Sequence, residues 1–338
     1  MLYSREERQL LSKGEIARKA AGRLWRTIVP PRFGDLQALI DAYGEGGTAP
    51  ATLFLGDSVF GRISRNDRDR RSLGEMLAGA AGDGLAIGRP AYHPGLFLAF
   101  VEALLALPRR PRTLVLAINL RCFSPQWDRH PGWQFDREIA ALRRFAVRPT
   151  SRAPRLRETT ASPAALRTYD AEPVDYLGGD YSTIGGYRRL IATRPSDEAG
   201  QRKRRAQIFV YHYLFALASD HHHLDSLGGL IRLARDAELP LSLYLTPINI
   251  EGGVSLAGAP FAVRLAENAA TLRAALDPLL PTASQPIADF STLVGADGFL
   301  YREDPTEHLN ETGREALVNA VTALLAQRGT VVAGSQRA

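Results

Sequence analysis

The stretch Leu53-Phe54-Leu55-Gly56-Asp57-Ser58-Val59-Phe60-Gly61 carries an apolar run straight into a glycine, an acid and a serine. A serine hydroxyl is a weak nucleophile until a neighbouring base takes its proton. Of the seven histidines, His308 has the surroundings that suit a base, in Asp304-Pro305-Thr306-Glu307-His308-Leu309-Asn310-Glu311-Thr312-Gly313. A loop with an acid, a histidine and Asn-x-x-Gly leads there into the last helix-period run. The chemistry this pair would perform is acyl transfer. Ser58 attacks a carbonyl, His308 accepts its proton, and a carboxylate holds the imidazole tautomer and stabilises the imidazolium.

Such a serine must stand where a cleft can form. Ala51–Leu55 is continuously apolar and ends at Gly56, as a fully buried strand does. In an open parallel sheet, ligands bind beyond the carboxyl ends of the strands. A helical turn after Ser58 would aim unpaired N–H groups at an oxyanion. The nucleophile elbow of α/β-hydrolases is ruled out, because it needs glycine where Phe60 stands, and no Gly-Lys-Ser/Thr follows to make a P-loop.

The remaining elements alternate. Further strands are predicted at Leu85–Ile87, Thr113–Ile118, Leu241–Leu245 and Ile287–Phe290. Helices are predicted at Asp35–Tyr43, Pro94–Leu107, Gln201–Ala218, Leu224–Glu238, Ala262–Leu276 and Thr312–Gln327, with a weak one near Gln134–Phe145. Strands alternating with helices imply a mostly parallel sheet covered on both faces.

Residues 1–50 read as an amphipathic helical arm and linker, and 51–330 as the main domain. Within that domain, 126–200 is rich in Arg, Pro, Ser and Thr and too long for a plain connection, so it is expected to form a lid-like insertion. Residues 331–338 read as a flexible tail.

Three blocks now stand in order at strand ends: Gly56-Asp57-Ser58, Asn119 after the third strand, and the C-terminal Asp…His308-Leu309-Asn310…Gly313. In this the chain resembles the SGNH (GDSL-type) hydrolases over about residues 51–325. The resemblance implies a three-layer α/β/α domain with a flavodoxin-like parallel sheet of strand order 2-1-3-4-5. It implies a Ser-His-Asp site on Ser58, His308 and an acid, with the backbone N–H of Ser58, the side chain of Asn119 and a glycine lining an oxyanion hole. Two departures matter. The family's acid position, three residues before the histidine, is Pro305, which leaves Asp304, with Glu307 or a backbone carbonyl as alternatives. For the oxyanion glycine after the second strand, Gly88 and Gly95 compete, and Gly88 is the one favoured.

Asp57, Arg121, His93 and Asn249 are expected on the substrate side. Arg121 could clamp a carboxylate or phosphate with its planar guanidinium, or anchor the lid. Glu251 could also reach a ligand. The run His221-His222-His223 lacks ligands at metal spacing, so a solvated turn is expected there. No metal and no organic cofactor is implied.

Composition narrows the rest. With 45% apolar and 23% charged residues among 338, the chain has the balance of a soluble globular protein. No apolar run spans a bilayer. The N-terminus has charges of both signs and no apolar signal core, and Cys122 is the one cysteine, so a cytoplasmic location is expected. The net charge of +6, concentrated in Arg143–Arg157 and Gln201–Arg205, could favour an acidic substrate or carrier, but no nucleic-acid motif accompanies it. The leading expectation is an esterase acting on a small-molecule or sugar ester. Alternatives are an acyltransferase with an acyl acceptor or acyl carrier as partner, and a non-catalytic binding protein. The N-terminal arm could join two copies.

Overall fold

The computed structural model describes residues 33–124, 127, 133–156, 212–280 and 286–335. The expected N-terminal arm, most of the insertion after residue 156, and the last three residues lie outside these.

Five parallel strands form one sheet: β1 (Thr52–Gly56), β2 (Gly84–Gly88), β3 (Thr113–Ile118), β4 (Leu241–Leu245) and β5 (Ala288–Asp289), in the order β2-β1-β3-β4-β5. Eight α-helices accompany them among the described residues: α1 (Gly34–Tyr43), α2 (Leu73–Ala80), α3 (Pro94–Leu105), α4 (Asp136–Val147), α5 (His222–Asp236), α6 (Ile250–Ala257), α7 (Pro260–Leu276) and α8 (Glu311–Ser335).

Alternation along the strands builds two cores. Leu53 and Leu55 of β1, Leu114, Leu116 and Ile118 of β3, and Leu243 and Leu245 of β4 share a face with α1, α3, α5 and α7. Phe54, Val115, Ala117 and Tyr244 face the other way, against Leu73, Met76 and Leu77 of α2 and Leu317, Val318 and Val321 of α8. Register supports this split, with Leu55 opposite Leu116 and Ile118 opposite Leu245. Both faces being covered explains why the strands read as unbroken apolar runs rather than alternating ones.

From β1 the chain first moves to β2 on one side and then to β3 on the other. The switch point therefore lies between β1 and β3, and the ends of these two strands carry Ser58 and Asn119.

Four sequence expectations need correction. Helix α2 was not expected; it starts at a capping box in which Ser72 and Glu75 satisfy each other's backbone N–H. Helix α6 was not expected either, and Asn249 caps it by accepting from Gly252 N–H at 3.0 Å. The helix predicted over Gln201–Ala218 is absent over 212–218, where Leu217 N–H and Phe215 C=O instead bond Asn268 of α7. His221–His223 is not a solvated turn. It opens α5, and His223 is buried and stacked on His93 at 4.7 Å between ring centroids.

Candidate active site

The turn after β1 is set by two glycines and one phenylalanine. A side chain at Gly56 would overlap the ring of Phe60, and one at Gly88, its partner on β2, would press on Phe60 and on the Gly56 carbonyl. The ring of Phe60 thus folds the 3-10 turn Ser58–Phe60 back over the strand ends. Asp57 caps this turn by accepting from Val59 N–H at 3.0 Å. The backbone N–H of Ser58 donates to no group among the described residues.

His308 arrives on a loop fixed from both sides. Asn310 accepts from Gly313 N–H at 3.1 Å and donates to Asp297 C=O at 2.6 Å. A side chain at Gly313 would run into the Gly298 carbonyl, so the Asn-x-x-Gly spacing is a cap followed by a close approach. Upstream, the side-chain amide of Asn249 donates to the carbonyls of Arg302 and Asp304, both at 2.8 Å, and its own N–H reaches Thr306 C=O at 2.9 Å.

These two loops bring Ser58 Oγ to 3.1 Å from Nε2 of His308. Both residues are buried, with 7% and 8% of their surface left accessible. On the opposite ring edge, Nδ1 lies 3.3 Å from Thr306 Oγ1, which also accepts from His308 N–H at 3.1 Å. The expected acid, Asp304, makes no hydrogen bond or ion pair with His308. Its carbonyl is taken by Asn249, and Thr306 stands at the Nδ1 edge.

The carboxylate near the ring belongs to Glu307. Its Oε1 is 3.6 Å from Nε2 of His308 and 2.7 Å from Nη1 of Arg121, while Oε2 accepts from Tyr213 OH at 2.7 Å. Glu307 is wholly buried. Burial alone would raise its pKa, but Arg121, His308 and the Tyr213 hydrogen bond together hold it at about 2. Burial lowers the His308 pKa below its ordinary value; Glu307 opposes this, while Arg121 and Arg62 add to it. His308 is therefore neutral at pH 7, the form a base requires, and its contact with Glu307 is not an ion pair until it takes a proton.

A hydrogen-bonded line connects the two halves. Asn119 donates from Nδ2 to Asp57 at 2.7 Å and accepts from Arg121 N–H at 3.0 Å, and Arg121 then meets Glu307. The Arg121 guanidinium also sits over the Trp127 ring at 4.6 Å. Burial, and then the charge of Glu307, push the Asp57 carboxyl up to about 6.

The structure thus gathers Asp57, Ser58, Asn119, Arg121, Glu307 and His308. Other expected substrate residues have different surroundings. Asn249 holds the histidine loop. His93 immediately precedes α3 in the histidine stack, its Nε2 3.2 Å from Gln134 C=O. Gly88 packs against Phe60. No group of three His, Cys, Asp or Glu side chains among the described residues could hold a metal ion. Tyr213, inside a predicted helix, and Thr306 carry no mark in the sequence; Glu307 is legible there as the alternative to Asp304 for the acid.

No protein-family description matches the chain, and no curated protein does. Among solved structures, a protein of Streptococcus pneumonia, described provisionally as a platelet activating factor, is similar at 14% identity and a TM-score of 0.40, over 93% of this chain and all of that one.

Proposed function

We propose that the chain is a serine-dependent carboxylic-ester hydrolase of the SGNH type, with Ser58 as nucleophile and His308 as general base. The observation that carries this reading is the 3.1 Å contact between Ser58 Oγ and His308 Nε2 at the switch point of a parallel sheet. A buried histidine kept neutral at pH 7 suits the role.

In the proposed reaction, Nε2 takes the Ser58 proton as Oγ bonds to the ester carbonyl carbon. The carbonyl oxygen becomes an oxyanion, whose donors in this reading are the Ser58 N–H and the second Nδ2–H of Asn119. His308 returns the proton to the leaving alkoxide, the carbon–oxygen bond breaks, and an acyl-serine remains. Water then attacks by the same steps and releases the acid. While His308 carries the proton, Glu307 stabilises it by charge, and Thr306 Oγ1 accepts at Nδ1. Asp57 orients the Ser58 turn and Asn119 rather than meeting substrate. The unit 51–330 is proposed as the catalytic domain.

The test is covalent. Wild-type protein should be labelled at Ser58 by a fluorophosphonate and should hydrolyse p-nitrophenyl acetate. Ser58→Ala should remain folded, lose the label and lose at least about a thousandfold in rate. Equal hydrolysis by the two proteins would sink the assignment.

A further inference from the structure

Between the Ser58 turn and α2 runs Gly61-Arg62-Ile63-Ser64-Arg65-Asn66-Asp67-Arg68-Asp69-Arg70-Arg71. This loop holds five arginines and two aspartates, and the aspartates are already used. Asp67 bonds Nη1 of the buried Arg314 at 2.7 Å, and Asp69 pairs with Arg71 at 2.6 Å. Arg62, Arg65 and Arg68 are exposed and take part in no ion pair among the described residues. Glu75 and Glu315 also act on Arg71, at the far end of the loop. Arg62 and Arg65 stand at the end nearest Ser58.

Two facts separate this loop from an ordinary solvated charge run. First, its backbone is tied to the start of α8, a few residues beyond His308. Glu311 accepts from Arg68 N–H at 2.9 Å and from Asp69 N–H at 3.1 Å, and Arg314 Nη2 donates to Asp69 C=O at 2.8 Å. Within the loop, Ser64 N–H donates to Asp67 at 2.9 Å. The arginines are thus carried on backbone fixed relative to the base. Second, Arg62 is near enough for its charge to act on His308.

Resting on the esterase reading, we infer that Arg62, Arg65 and Arg68 form a binding site for anionic groups on the alcohol portion of the substrate, as carboxylates or phosphates. A guanidinium meets either group with paired donors. A pre-fixed loop lowers the ordering cost of binding. A positive field beside a cleft raises the local concentration of an anionic ester.

The experiment compares 2-nitrophenyl acetate with 4-acetoxy-3-nitrobenzoate, the same ester bearing a carboxylate, each corrected for its hydroxide-catalysed rate. Wild type should favour the anionic ester in kcat/KM by about tenfold at low salt, and the ratio should shrink towards one at 0.5 M NaCl, where the screening length is only about 4 Å. In Arg62→Gln/Arg65→Gln/Arg68→Gln the ratio should fall to about one, and in the corresponding Arg→Lys variant it should partly return. Calorimetric binding of citrate and of tripolyphosphate gives a readout independent of turnover and distinguishes a carboxylate from a phosphate ligand; at least one should bind about tenfold more weakly to the Gln variant. An unchanged ester ratio in a folded Gln variant, or equal binding of both anions by the two proteins, would overturn the site. Binding lost in the variant, with neither ester hydrolysed by wild type, would leave the site standing and sink the esterase reading.

Discussion

Glu307 Oε1 lies 3.6 Å from Nε2 of His308, the same nitrogen that faces Ser58 Oγ at 3.1 Å. In a Ser-His-Asp triad the acid sits on the other side, at Nδ1, where it fixes the tautomer through a hydrogen bond. Here Thr306 occupies that edge, and the carboxylate acts by its charge on the Nε2 side. In the proposed reaction, tautomer control and imidazolium stabilisation are thereby divided between two residues.

This division makes Thr306 and Asp304 separable. Thr306→Val removes the hydroxyl at Nδ1 and should lower kcat by about tenfold to a hundredfold with little change in KM. Asp304→Asn leaves the carbonyl that Asn249 uses and should stay within about threefold of wild type. Steady-state kinetics on p-nitrophenyl acetate decides between them, and a larger loss from Asp304→Asn would return the acid's role to that residue.

The acid limb of the pH profile follows from the base. Burial lowers the pKa of His308, with Arg121 and Arg62 acting in the same direction. In the proposed mechanism the neutral ring is the active form, so kcat/KM should rise with pH through a midpoint below the ordinary histidine value of about 6.5. Glu307→Gln removes the one charge that raises this pKa, and the midpoint should move further down.

Glu307→Gln also leaves Arg121 beside a neutral amide in a buried site, which should destabilise the fold by about 3 kcal/mol. Changing Arg121→Gln at the same time should recover part of that loss, because the two side chains are in direct contact and their substitutions are coupled. The sign with pH can be checked too. The pKa of Glu307 is depressed to about 2 on folding, so its stabilising contribution is present above its unfolded value of about 4.3 and is lost as pH falls towards 2. Urea melts at pH 7 and pH 3 should show the wild-type advantage over Glu307→Gln shrinking at the lower pH.

Two glycines give a packing test. Gly313→Ala places a methyl group against the Gly298 carbonyl, whereas a side chain at Gly61 would meet open space. Gly313→Ala should cost about 2 kcal/mol and displace the histidine loop, while Gly61→Ala should stay within about 0.5 kcal/mol of wild type. Thermal unfolding measures both.

The sequence by itself determined the sheet. Strands buried on both faces are built mostly of apolar residues, so Thr113–Ile118 and Leu241–Leu245 could be read with their boundaries unchanged. Local chemistry also marked Ser58 after β1 and His308 before α8, because a turn and a cap need particular residues at particular spacings. Short helices were less visible. Helix α2 spans 8 residues and α6 spans 8, too few for a helical period to emerge, although the Ser72–Glu75 box was there to be read. What only the tertiary structure decided was which polar groups meet. Glu307 and Arg121 are 186 positions apart, and Tyr213 and Glu307 are 94 apart. No sequence spacing encodes such contacts. Nor does it show that Asn249 and His93, polar residues at strand and helix ends, are buried against backbone carbonyls and a neighbouring ring. Residue type states what a side chain can bond; the packing of the layers determines which partners remain within reach once water is excluded.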